Sequence, residues 1–216
     1  MECELVIFDC DGVLVDSEPT MNQVLPDALR HQGLNFTNEE TRNYLKGLNN
    51  PDSLVKANQL LGRELPDDFI DVQDEVALGV LKSVLRPDAA QIAVIEQILE
   101  SGILMCVASN GLRHIVPAKL EAVGLASYFK GRVYTALDVT RGKPFADIFL
   151  LPCSEMGVEP SRSLVIEDSQ AGLDGAQAGG AMTVHFGAVD TIDAPSERHF
   201  GSIQTFGQLL PILGIN

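Results

Sequence analysis

Four polar clusters in the chain have residue types and positions suited to chemistry. Asp9 and Asp11 flank Cys10 directly after the apolar run Leu5-Val6-Ile7-Phe8, and Gly12 follows. Ser109-Asn110 follows the apolar run 104–108, Lys143-Pro144 opens a helical pattern, and Glu167-Asp168 ends the run Leu164-Val165-Ile166. Taken singly, each has an ordinary explanation. Asp-x-Asp-Gly makes turns, Ser-Asn and Glu-Asp-Ser cap helices, and a lysine before proline is commonly solvated. Taken together, they converge on the carboxyl edge of one sheet, where α/β proteins bind ligands. Four carboxylates in one cleft repel one another unless a cation lies among them. Hard oxygen donors select a hard divalent ion, and Mg²⁺ is the expected one.

The elements that must position these clusters follow from hydrophobic patterning. Continuous apolar runs at 5–8, 104–108, 164–166 and 182–186, with a weaker one at 132–135, read as strands buried on both faces of a parallel sheet. Between them, Ile92, Ile95, Ile98 and Leu99 recur at helical spacing before Gly102, and Ile115, Leu120 and Val123 precede Gly124. Phe145, Ile148, Phe149 and Leu151 precede Gly157, and the small-residue stretch 171–178 closes on Gly179-Gly180. This alternation predicts a doubly wound, Rossmann-like α/β core. Residues 15–85 break the rhythm, because no strand-like run interrupts them. Ser17 predicts the start of a helix from Glu18 to about Gln32, and Thr37-Asn38-Glu39-Glu40 is a capping box opening a second helix to about Leu45. A third is expected from Asp52 to Leu61, before Gly62, and a fourth over 66–85. The expected organisation is a core of 1–14 and 86–216, with an all-helical unit, 15–85, inserted after the first strand.

Composition narrows the partners. Of 216 residues, 45% are hydrophobic and 21% charged, which supplies a sizeable core and excludes wholesale disorder. Thirty acidic against fifteen basic residues give a formal charge of −15, which disfavours non-specific binding to nucleic acid or anionic membrane. Any phosphorylated ligand must therefore meet local donors. Cys3, Cys10, Cys106 and Cys153 form no CxxC pair and are expected to be free thiols, mostly in buried strands. His31, His114, His185 and His199 are dispersed and predict surface or capping positions rather than a metal pair. The first residues lack the basic region of a secretory signal and no apolar run approaches 18 residues, so the expectation is a cytoplasmic protein, monomeric or weakly dimeric.

The segment Phe8-Asp9-Cys10-Asp11-Gly12-Val13-Leu14-Val15-Asp16-Ser17 resembles the first motif of the haloacid dehalogenase-like hydrolases. Ser109-Asn110 resembles the second, Gly142-Lys143-Pro144 the third, and Glu167-Asp168-Ser169 with Ala171-Gly172 the fourth. The helical insert is similar to the cap of the β-phosphoglucomutase-like branch, and the resemblance covers nearly the whole chain. One departure is Lys143-Pro144-Phe145-Ala146-Asp147, where relatives commonly have a second proline before the aspartate. The resemblance implies roles. Asp9 is the expected nucleophile, forming an aspartyl-phosphate, and Asp11 the general acid and then base. Ser109, Asn110 and Lys143 would cradle the phosphoryl oxygens. Mg²⁺ would be held by Asp9, the Asp11 carbonyl and Asp168, with Glu167 direct or through water. In relatives the region of Lys46-Gly47-Leu48-Asn49-Asn50 faces the active site, so Lys46 and Asn50 are expected to contact substrate.

The implied function is a Mg²⁺-dependent phosphatase of a small phosphorylated metabolite, a sugar or sugar-acid phosphate. A phosphosugar mutase is the enzymatic alternative. Those enzymes usually carry a histidine in the first cap helix and an arginine just after the Lys-Gly pair, whereas this chain has Pro19-Thr20-Met21-Asn22 and Asn49-Asn50. The alternative of another class is a catalytically silent binding protein on the same fold, opposed by the intact motif residues.

Overall fold

Every residue of β1 (Leu5–Phe8) is buried, as a continuous apolar run demands of a central strand. In a computed structural model describing residues 2–37, 39–41, 50–188 and 197–215, β1 lies in a six-stranded sheet. The other strands are β2 (Leu104–Ser109), β3 (Val133–Thr135), β4 (Ser163–Glu167), β5 (Met182–Phe186) and β6 (His199–Ile203). Their order is β3-β2-β1-β4-β5-β6, and every pairing is parallel. Alternate residues of β1 feed two cores. Val6 and Phe8 join Ile95, Ile98, Leu120 and Phe129, while Leu5 and Ile7 join Ile148, Phe149 and Cys153. The chain is thus a doubly wound α/β sheet with helices on both faces.

The chain divides into two compact units, Met1–Asp16 with Leu85–Asn216, and Ser17–Val84. The second unit contains α1 (Glu18–His31), α2 (Asn50–Leu61) and α3 (Phe69–Val84). Leu29, Leu34, Ala57, Leu65 and Phe69 form its core. Arg63 ties the end of α2 to the end of α1, donating from Nη2 to the Gln32 carbonyl at 2.7 Å and to Gln32 Oε1 at 2.9 Å. The capping box forms: Glu40 accepts from the Thr37 N–H and hydroxyl, both at 2.9 Å, and Thr37 Oγ1 accepts from the Glu40 N–H at 3.1 Å. The continuation of that helix to Leu45 lies outside the described residues. On α3, Ala77, Leu78 and Leu81 face inward, while Val72, Val76, Val80 and Val84 are exposed.

In the first unit, α4 (Ala89–Glu100), α5 (Ile115–Ala122), α6 (Asp147–Met156), α7 (Gln170–Ala178) and α8 (Leu209–Leu213) accompany the sheet. Asp88 caps α4, accepting from the Ala90 N–H at 2.8 Å. The sequence reading contains no strand at β6. His199-Phe200-Gly201-Ser202-Ile203 is partly polar, carries an internal glycine, pairs on one side only and slips register against β5, so it lacks the continuous apolar signature. All four cysteines are free and buried. Among the described residues, no helix is long and apolar enough to cross a membrane.

Candidate active site

Phe8 stands level with Val107 on β2 and Ile166 on β4, so polar residues ending these three neighbouring strands emerge at one edge. Asp9 follows β1, Ser109 ends β2 and Glu167 ends β4. The Asp9 N–H donates to the Ile166 carbonyl at 2.9 Å, which locks the head of β1 to β4. Lys143, from the segment before α6, donates from its ammonium to both Asp9 Oδ1 and Glu167 Oε1, and all three side chains are buried. Glu167 Oε2 accepts from the Ser169 N–H and hydroxyl, both at 2.8 Å, and Ser169 Oγ caps α7 by accepting from the Gly172 N–H at 3.1 Å. Gly172 has no alternative: a Cβ there would stand 2.0 Å from the Glu167 carboxylate. Gly12 is similarly constrained. Its φ is +80°, and a Cβ would stand 1.9 Å from Asp168 Oδ2. The turn carrying Asp11 closes on itself, with Gly12 N–H donating to the Val15 carbonyl at 2.8 Å and Val15 N–H to the Cys10 carbonyl at 2.9 Å.

Asp9, Glu167 and Asp168 each bring a carboxylate oxygen within 4.8 Å of the others. Burial pushes the Asp9 carboxyl well above the usual range; Lys143 opposes the rise, and the charges of Glu167, Asp168 and Asp11 add to it. Asp168 is the exposed member of the three, yet partial loss of hydration, then the charge of Glu167, pushes its carboxyl up to about 7. Burial works against the Lys143 ammonium, but Asp9 and Glu167 outweigh it and hold its pKa above the ordinary lysine value. One ammonium faces three carboxylates, so the cleft carries excess negative charge. The donor set is all carboxylate oxygen, with neither thiolate nor imidazole, and it fits a hard divalent cation.

The remaining residues singled out in the sequence fall around this centre. Ser109 is buried, and its Oγ accepts from the Gly111 N–H at 3.0 Å. The side-chain amide of Asn110 is committed to the Lys143 backbone: Nδ2 donates to the carbonyl at 3.2 Å and Oδ1 accepts from the N–H at 2.9 Å. Asn110 therefore fixes the segment that delivers the ammonium. Asp11 is drawn instead to Lys119, whose Nζ lies 2.7 Å from Asp11 Oδ1. Lys46 lies outside the described residues, and Asn50 is the first residue of α2.

Two residues were misplaced or missed by the sequence reading. His185 is not at the surface; it is buried on β5, level with Glu167, with Nδ1 2.9 Å from Ser202 Oγ, and burial lowers its pKa. Lys119 carried a usable signal. It lies four residues from both Ile115 and Val123, on the apolar face of α5, where a lysine must find a buried partner.

These features define a doubly wound α/β protein with an acid-lined, lysine-bridged site at the carboxyl edge of its sheet. The family model of haloacid dehalogenase-like hydrolases matches residues 3–180, and the chain belongs to that family. It is 26% identical over 204 residues to 6-phosphogluconate phosphatase of Escherichia coli (strain K12), covering 89% of this chain and 86% of that enzyme. The crystal structure of a haloacid dehalogenase-like protein from Agrobacterium tumefaciens str. C58 matches with a TM-score of 0.74 at 30% identity, covering 98% of each chain. A β-phosphoglucomutase from Clostridium difficile shares the fold, with a TM-score of 0.77 at 18% identity, covering 96% of this chain and 93% of that one.

Proposed function

We propose that this hydrolase is a Mg²⁺-dependent phosphatase of small phosphorylated metabolites, sugar or sugar-acid phosphates, working through an aspartyl-phosphate. One observation carries the reading: Asp9, buried at the head of β1, is ion-paired to Lys143 and clustered with Glu167 and Asp168. An Asp9 carboxylate oxygen attacks phosphorus as the ester P–O bond breaks, and Asp11 gives a proton to the departing oxygen. Asp11 then takes a proton from water, whose oxygen bonds to phosphorus as the Asp9–phosphorus bond breaks. Ser109 and Lys143 hold the phosphoryl oxygens and counter their charge, and Asn110, expected from the sequence to share that task, holds the Lys143 backbone in place instead. Asp9, Asp168, Glu167 and the Asp11 carbonyl would hold the ion, which when bound offsets the repulsion between phosphate and carboxylate. Similarity to a 6-phosphogluconate phosphatase supports a sugar-acid phosphate as substrate. Lys46 and Asn50 of the helical insert are assigned to substrate selection. Four free thiols suit a reducing, cytoplasmic setting.

The test is phosphate release from a panel of sugar and sugar-acid phosphates. Activity should vanish with EDTA and return with Mg²⁺, whereas Ca²⁺ should compete without supporting turnover, because its looser coordination spoils the attack geometry. No release from any member, or undiminished release in EDTA, overturns the reading.

A further inference from the structure

Lys119 is a buried cation that none of the four motifs contains. It is 7% exposed on the inward face of α5, and its ammonium meets Asp11 Oδ1 at 2.7 Å across 108 positions of sequence. Taking an ammonium out of water costs several kcal/mol unless it is paired, so an apolar side chain would occupy this position at lower cost. The two partners differ in setting: the Lys119 side chain is 9% exposed and that of Asp11 is 36% exposed. The lysine therefore reaches from the interior to grip one oxygen of a carboxylate at the rim of the cleft. The backbone beneath Asp11 is closed by the Gly12–Val15 and Val15–Cys10 hydrogen bonds, so the turn and the Lys119 ammonium act on the same residue from two sides.

We propose that Lys119 is a positioning residue that fixes the Asp11 carboxylate through Oδ1 and leaves Oδ2 as the oxygen that exchanges protons. This rests on the assignment of Asp11 as general acid and base. In the first step, the proton on Oδ2 passes to the ester oxygen as its bond to phosphorus breaks. In the second, Oδ2 takes a proton from the attacking water as the Asp9–phosphorus bond breaks. A carboxylate free to rotate would spend only part of its time in reach of either oxygen, so the loss falls on turnover rather than on binding.

The measurement is kcat and KM for an alkyl and an aryl phosphate in Lys119→Met, Lys119→Arg, Asp11→Asn and the Lys119→Met/Asp11→Asn pair. General-acid effects span about 10²–10⁴, and loss of orientation forfeits the lower part of that range. Lys119→Met should lower kcat for the alkyl ester about a hundredfold, with KM little changed, and the alkyl loss should exceed the aryl loss about tenfold. Lys119→Arg should recover most of it. In the Asp11→Asn background, Lys119→Met should add nothing further. Equal losses on both esters, or the full Lys119→Met loss persisting without the Asp11 carboxylate, overturns the proposal. If Asp11→Asn alone depresses both esters equally, the acid assignment itself fails, a result distinct from failure of Lys119. Thermal melts accompany each variant, and Lys119→Leu, which likewise removes the donor toward Asp11, stands in if Lys119→Met does not fold.

Discussion

The carboxyl edge of the sheet and the helical unit are held together by different forces. At the edge, one ammonium bridges two buried carboxylates, one carboxylate is seated over the start of α7, and an asparagine clamps the backbone that delivers the ammonium. Removing one partner strands a buried charge at a cost of about 3–5 kcal/mol. The helical unit rests on an apolar cluster around Leu29 and Phe69, and α3 turns four valines to water. Surface substitutions on such a unit typically stay within about 0.5 kcal/mol. The proposed function divides the work along the same line, with the over-determined edge given the step common to all phosphate esters and the permissive helical unit the discrimination among them.

The sharpest way to break this division is Asp9→Asn. The amide still accepts from Lys143, so the fold should survive, while turnover falls by at least about a thousandfold, or about 4 kcal/mol of barrier. Phosphate release within tenfold of wild type, with an unchanged thermal melt, removes the nucleophile from the edge. A smaller effect is expected from the helical unit. Lys46→Ala and Asn50→Ala should each lower kcat/KM for the preferred sugar ester about 5- to 150-fold, equivalent to about 1–3 kcal/mol, and lower it much less for a small aryl phosphate. Losses equal on both substrates would assign these residues to structure and erase the division of labour.

The mildest effect concerns pH in metal-free protein. The Asp168 carboxyl sits at about 7 against an ordinary 3.8, and Asp9 is displaced in the same direction. Between those values the folded state binds more protons than the unfolded state, so stability is greatest at low pH and is lost as pH rises toward 7. In EDTA, Tm should fall from pH 5 to pH 7, Asp168→Asn should flatten the slope, and Mg²⁺ should restore more at pH 8 than at pH 5. A Tm that climbs over this window would show that the carboxylates do not crowd one another.

Legibility in the sequence follows the range of the interaction. β1, β2, β4 and β5 show as continuous apolar runs because burial on both faces is written in neighbouring residues. Asp9, Glu167 and Asp168 stand out because each lies at the end of such a run, and Lys143 because it precedes the helical pattern that becomes α6. The pairing of Lys119 with Asp11, and of Asn110 with the Lys143 backbone, joins distant positions that no local pattern links. His185 is a different case. A continuous apolar run buried on both faces implies burial for every residue in it, so the strand pattern at 182–186 points to a buried His185 and outweighs the dispersal of the histidines. β6 stayed hidden because an edge strand with a glycine and polar residues obeys no strong periodicity.

The closed turn after β1 bears on how such a chain can be rewired. Hydrogen bonds from Gly12 to Val15 and from Val15 to Cys10 complete the loop of Asp9 and Asp11 before the helical unit begins at Ser17. The chain re-enters the α/β unit at Leu85, just ahead of the Asp88 cap that starts α4 afresh. Both junctions therefore fall between self-contained folding signals. The insert has the properties of a cassette, and recombination at its two ends can exchange the whole helical unit while the aspartates stay in place. Replacing that unit then takes one genetic event rather than a series of compensated substitutions.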